Sequence, residues 1–167
     1  MKIAIDGPKD FDFHHDLPPA PFRHVIDVGW GDTDPAQIAY TSNIPAWALR
    51  AIEAWFKACV GAGWYEINID LGVGTPFVNL TCTFHAPITP RHDLRMDVTV
   101  TRIGRTSLTC GVAGYQGQGK CCFSGEFVCV FVDSVRMIPI AIPEKMRANI
   151  RRFADAQGSP FDDAGGQ

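Results

Sequence analysis

A chain of 167 residues, 46% of them hydrophobic, has the length of one domain and enough apolar side chains for a full core. Its net charge of −3 gives no footing for nucleic acid or an anionic membrane surface as the main partner. No apolar run reaches the about 20 residues that cross a bilayer. The opening MKIAIDGPKDFDF lacks the apolar centre of a secretory signal, so the expected location is the cytoplasm.

Residues 1–21, with Gly7-Pro8 and Pro18-Pro19-Ala20-Pro21, read as an extended arm. A strand begins around Arg23 and His24 and runs to Trp30. An acidic turn follows, Gly31–Asn43 (GDTDPAQIAYTSN), in which Pro35 fixes the backbone directly after Asp34. The pattern then predicts a helix from Pro45 to Val60, with Ser42 or Asn43 as its N-cap and Gly61 and Gly63 as stop signals. That helix is apolar nearly all round, with Arg50, Glu53 and Lys57 as a single charged stripe. Such a helix is buried over most of its circumference, so something must wrap around it.

Four strands supply the wrapper: Pro76–His85, Asp93–Ile103, Ser107–Tyr115 and Lys120–Asp133, each alternating apolar and polar residues over much of its length. The breaks between them are short, at Ala86–His92, Gly104-Arg105-Thr106 and Gln116–Gly119, which predicts antiparallel neighbours. A last helix starts at Pro143, and the tail AQGSPFDDAGGQ reads as flexible. The expected domain therefore covers residues 22–155, between an arm (1–21) and a tail (156–167). Its fold class is α+β: a curved antiparallel sheet around one long central helix, whose free sheet edges invite pairing with a second copy.

The chemistry concentrates in the acidic turn. Asp32 and Asp34 can be ordinary turn residues that hydrogen-bond their own backbone. Alternatively, a fixed carboxylate folds back near a helix N-terminus, where free N–H groups polarise a carbonyl while the acid attacks it or activates water. Spacing alone favours the turn. The six cysteines form no CxxC pair, and most lie in apolar runs, where a reduced Cys packs as a small hydrophobe. No base accompanies any of them, so none reads as a nucleophile. Glu53 lies between Arg50 and Lys57 at ion-pair spacing, His85 and His92 read as packing or exposed residues, and His14-His15-Asp16 requires no metal. Trp47, Trp55, Phe56 and Trp64 read as packing, and Arg91, Arg95, Arg102 and Arg105 either contact phosphate or form a solvated strand face.

The run VGWGDTDPAQIAYTSNIPAWALRAIEAWF resembles the opening of the hotdog-fold thioesterases of the 4-hydroxybenzoyl-CoA type. The similarity continues through GTPFVNLTCTFHAPITPRHDLRM and GRTSL, and covers about Arg23 to Val132. The resemblance implies a hotdog fold and an acyl-CoA thioesterase that converts an acyl-CoA, possibly aromatic, to acid and free coenzyme A. Coenzyme A is then part of the substrate, no separate cofactor or metal is needed, and a homodimer or homotetramer is expected. Asp34 aligns with the family's catalytic carboxylate, as nucleophile or general base. Thr41 falls where a backbone N–H polarises the thioester carbonyl, Asn43 at the helix-entry Asn, and Arg105 in a turn where basic residues meet coenzyme A phosphates. Asp32 is expected to hold the turn. Gln37 departs from the pattern, standing where the family has Gly; it enters positive φ less readily and adds an amide at the implied substrate site. Two alternatives share the fold. A hydroxyacyl-thioester dehydratase usually needs a His–acid pair, and Gly31–Asn43 holds no His. A non-catalytic acyl-CoA or acyl-carrier binder would bind without releasing thiol.

Overall fold

The structure, a computed structural model, describes residues 11–164. Residues 1–10 of the expected arm, including Gly7-Pro8, and 165–167 of the expected tail lie outside the described residues. In chain order the elements are β1 (Phe22–Ile26), α1 (Asn43–Val60), α2 (Trp64–Ile69), β2 (Val73–Gly74), β3 (Phe77–Phe84), β4 (Leu94–Ile103), β5 (Ser107–Gln116), β6 (Lys120–Val130), β7 (Val132–Asp133), α3 (Glu144–Ala156) and β8 (Asp162–Asp163). The main sheet runs β1-β4-β5-β6-β3, with every neighbouring pair antiparallel. This is the hotdog-like α+β arrangement, with α1 as its filling.

Period-two alternation sets the inner face. In β4 the side chains of Leu94, Met96, Val98 and Val100 are fully buried, while Arg95, Asp97, Thr99 and Thr101 between them point outward. From α1, Ala48, Ala51, Ile52, Trp55 and Phe56 are all without exposure, and the two alanines let the helix backbone sit close to its surroundings. Complete burial of Phe56 alone contributes about 2 kcal/mol relative to exposure. Trp55 meets Phe56 (5.0 Å) and Phe153 of α3 (5.4 Å) edge-on, which ties the two helices together. The helix stops where expected: Gly61 takes φ +88°, and its N–H closes onto Lys57 O at 3.1 Å.

Several expectations need correction. β1 ends at Ile26, four residues short of Trp30, which instead opens a 3-10 turn, Trp30–Asp32. β3 does not neighbour β4: it pairs with β6 at the sheet edge, and the segment 85–93 crosses the sheet end to reach β4. That crossing skips two strands, about 14 Å, which nine residues cover with ease. The last strand divides at Phe131, whose N–H bonds Thr106 O and whose carbonyl accepts from Ile140; β7 then pairs with β2 in a separate two-stranded sheet. The short helix α2 carries no signal that sequence reading used. Residues 157–163, read as part of a tail, lie along β4: Phe161 packs on the core and β8 pairs with Arg102 and Ile103.

The two edges of the sheet differ. Along β4 the outer edge is closed by β1 over Leu94–Val98, by the Gln157 side chain at Val100 (2.9 Å to N, 2.7 Å to O) and by β8 beyond. The outer edge of β3 has no strand partner among the described residues, and Val78, Leu80 and Phe84 there stay exposed. Among the described residues no helix is long and apolar enough to cross a membrane.

Candidate active site

The acidic turn folds into a small hairpin. Thr33 bridges Ala39, Asp34 N–H donates to Ile38 O (3.0 Å), and Gln37 N–H donates to Asp34 O (2.8 Å). Asp34 and Pro35 are favoured as the first two residues of the β-turn this closes. Gln37 then takes φ +64°, the left-handed conformation that a three-residue hairpin loop asks of its last residue. Glycine enters that region freely and Gln does not, so this departure from the glycine of the resembling family has a backbone cost. Asp34 Oδ1 accepts from Ala36 N–H at 2.8 Å, and its Oδ2 accepts no hydrogen bond among the described residues.

Asp32 does a different job. Its Oδ2 accepts from Gly29 N–H (2.9 Å), and its carbonyl accepts from both Tyr40 N–H (2.8 Å) and Asn43 Nδ2 (3.0 Å). The expected cap is thus not formed. Ser42 occupies the N-cap position in helical geometry without a side-chain bond, and Asn43, already inside the helix, turns its amide back to Asp32. Asn43 is a tie between the acidic hairpin and the start of α1. The N–H groups of Thr41 and Ser42 find no acceptor among the described residues, and they sit where the helix dipole is positive. Ala39 N–H donates to Ile88 O (2.8 Å) and anchors the hairpin to the crossing segment 85–93.

Of the residues expected at the site, Asp34, Gln37, Thr41 and Asn43 are brought together and Arg105 is not. Ile26, just before the acidic hairpin, pairs with Leu94, whereas Arg105 follows Ile103 at the other end of β4. Nine residue steps separate those ends, about 30 Å. The other arginines are divided too: Arg95 pairs with Asp97 (3.2 Å) and lies over the Tyr115 ring, and Arg102 pairs with Asp162 (3.3 Å). Glu53 pairs with Lys57 (3.8 Å), and Arg50, expected to join them, forms no ion pair among the described residues. His85 bonds Ser124 Oγ (2.9 Å). Burial pushes the Cys59 and Cys129 thiols up to about 12 and Cys110 well above its ordinary range, so none of these is a ready thiolate.

Sequence reading missed two aromatic side chains. Trp30 and Tyr40 flank the acidic hairpin and are 73% and 56% exposed, an unusual state for rings of that size. For Tyr40 the available signal was its place in the acidic turn, outside any strand or helix; Trp30 was hidden because it reads as the end of a strand.

The sequence profile of the thioesterase-like superfamily matches residues 28–150. A thioesterase-superfamily structure from Jannaschia sp. CCS1 is 42% identical, covering 83% of this chain and 96% of that one, with a TM-score of 0.76. A gentisyl-coenzyme A thioesterase is 25% identical over 75% of this chain and 98% of that one, TM-score 0.67. A 1,4-dihydroxy-2-naphthoyl-CoA thioesterase from Synechocystis shares the fold at 20% identity, covering 78% and 95%, TM-score 0.71. No curated protein sequence matches the chain.

Proposed function

This chain belongs to the thioesterase-like superfamily and is a thioester hydrolase, and we propose that it acts on acyl-CoA with Asp34 as its reactive carboxylate. The observation that carries this reading is the free Asp34 Oδ2 on a hairpin tied, through Asp32 and Asn43, to a helix start with two unpartnered N–H groups. A thiolate leaves readily, so the chemistry asks for a positioned carboxylate and a polarised carbonyl more than for a strong acid. Asp34 Oδ2 either attacks the thioester carbon, expelling the thiolate and leaving a mixed anhydride for water to open, or takes a proton from the attacking water. The Thr41 N–H, with Ser42 N–H beside it, receives the developing oxyanion. Gln37 borders the bound thioester, and Asn43 keeps acid and helix start in register.

The acyl group is aromatic in this reading. Trp30 and Tyr40 offer exposed rings on either side of the hairpin that carries Asp34, and one similar structure, at 25% identity, is a gentisyl-coenzyme A thioesterase. The enzyme works in the cytoplasm as a homodimer, or a tetramer of two such dimers, joined through β3. That edge is open and apolar while the β4 edge is closed. Antiparallel pairing of two β3 strands about a two-fold axis sets one protomer's Arg105 end beside its partner's Asp34 end, so Arg105 serves coenzyme A across the interface. Thiol release from a panel of acyl-CoAs, from acetyl through medium-chain to benzoyl and hydroxybenzoyl, tests the reading. Fastest release from an aromatic member supports it; release from acetyl-CoA alone refutes the aromatic assignment, and no release from any member refutes acyl-CoA as substrate.

A further inference from the structure

We propose that Asp163, in the C-terminal tail, and Arg147 of α3 are positioning residues for Arg105: together they fix the β4–β5 turn that presents its guanidinium. This rests on the reading above, in which Arg105 serves coenzyme A across the interface. The superfamily profile matches no further than residue 150, so the tail that carries Asp163 lies beyond it.

The turn Gly104-Arg105-Thr106 is a hairpin tip, closed by Gly104 N–H donating to Ser107 O (2.8 Å). Such tips run over the surface and are usually among the more mobile parts of a fold. Here three successive carbonyls each accept from a different part of the chain. Gly104 O accepts from Arg147 Nη1 (2.8 Å), Arg105 O from Ile142 N–H (2.9 Å) and Thr106 O from Phe131 N–H (2.7 Å). Two of these donors are backbone groups, set by the path of the chain. The third sits at the end of a long side chain and needs an anchor of its own.

Asp163 is that anchor. Strand register sets Asp162 beside Arg102 and Asp163 beside Ile103, the residue that precedes the turn. Asp163 Oδ1 accepts from Arg147 Nη2, and its Oδ2 lies 3.2 Å from Arg151 Nη1, one helical turn further along α3. The Arg147 and Asp163 side chains are 18% and 12% exposed, so this charge-assisted bond is largely out of water. An ion pair that only held the tail would have no need of the turn, yet Arg147 gives its other terminal nitrogen to Gly104 O. Arg105 itself stays exposed. A cation presented on a fixed backbone loses less freedom when it meets an anion, and the tail supplies that fixity.

Steady-state kinetics of Asp163→Ala, Arg105→Ala and the double variant test this, on an acyl-CoA and on the acyl-pantetheine carrying the same acyl group. Arg105→Ala should raise KM for the acyl-CoA about tenfold. Asp163→Ala should raise the same KM about fivefold, leaving kcat and the KM for the acyl-pantetheine in place. In the double variant the Asp163 exchange should add nothing, because its effect passes through Arg105. Should Asp163→Ala not fold, Arg147→Lys takes its place: it keeps the charge, loses the two-pronged fork and should show the same split. A KM that rises alike for both substrates, or as much without Arg105 as with it, marks a merely structural pair and overturns the proposal. An effect of Arg105→Ala with none from Asp163→Ala overturns the positioning alone. No effect from Arg105→Ala overturns the Arg105 reading and the positioning with it. If the wild type hydrolyses neither compound, calorimetric titration with coenzyme A runs the same comparison: affinity lost in Asp163→Ala only where Arg105 is present upholds the proposal, and equal affinity overturns it.

Discussion

Exchanging Asn43 for Asp distinguishes the tie in the structure from the cap that the sequence suggests. At a true N-cap the exchange is nearly neutral, because Asn and Asp cap equally well. Here Asn43 Nδ2 donates to Asp32 O at 3.0 Å, so a carboxylate in its place sets oxygen against oxygen. The lost hydrogen bond costs about 1 kcal/mol. Repulsion between the carboxylate and the Asp32 carbonyl adds about 1 kcal/mol, since a polar group in a half-buried site is left unpaired. The favourable field of the helix start returns about 0.5 kcal/mol. The net is about 1.5 kcal/mol of destabilisation, or about 3–6 °C in Tm for a domain of this size. Asn43→Ala should cost about 1 kcal/mol, because Asp32 O keeps its Tyr40 donor. Urea unfolding and scanning calorimetry of both variants give the answer. An Asn43→Asp protein as stable as the wild type, or more so, would refute the tie.

Two further outcomes follow from the edges and the charges. Leu80→Lys on β3 places an ammonium on the open edge, at a side chain 45% exposed in the single chain, so sedimentation should find monomers where the wild type should sediment as a dimer. Wild-type monomers would contradict the β3 pairing. His24 lies below its ordinary 6.5, first because burial disfavours its charged form and second because Arg50 repels it. The unfolded chain then binds the proton more readily, so this group's stabilisation is complete above pH 6.5 and is lost as the pH falls below that value. His24→Asn should flatten the fall in stability between pH 7 and pH 5, and an unaltered slope would exclude His24 as its source.

How much of this was legible in the sequence differs by level. The buried helix, its Gly61 stop and the alternation in β4 follow from local periodicity, which survives any arrangement of strands. The place of β3 did not follow. Adjacency was inferred from a short link, but Ala86–His92 runs over the sheet end, where loop length sets an upper bound on distance and nothing else. At the site, the Asp34-Pro35 turn was visible because both residues suit it. The roles of Asn43 and Gln157 were not, since each side-chain amide pairs with a backbone group distant in sequence, at Asp32 and Val100. Arg105 illustrates the same limit: it matched a family turn, yet only strand register reveals that this turn and Asp34 occupy opposite ends of β4.

The most direct test of the central claim is kcat/KM for the preferred acyl-CoA in Asp34→Asn beside the wild type. Asn keeps the Oδ1 acceptor for Ala36 N–H, so the hairpin should fold with a Tm within about 3 °C of the wild type. Loss of the reactive carboxylate should remove about 4 kcal/mol of transition-state stabilisation, a fall of about a thousandfold. A well-folded Asp34→Asn enzyme that keeps its rate within a few fold would contradict Asp34 as the reacting group.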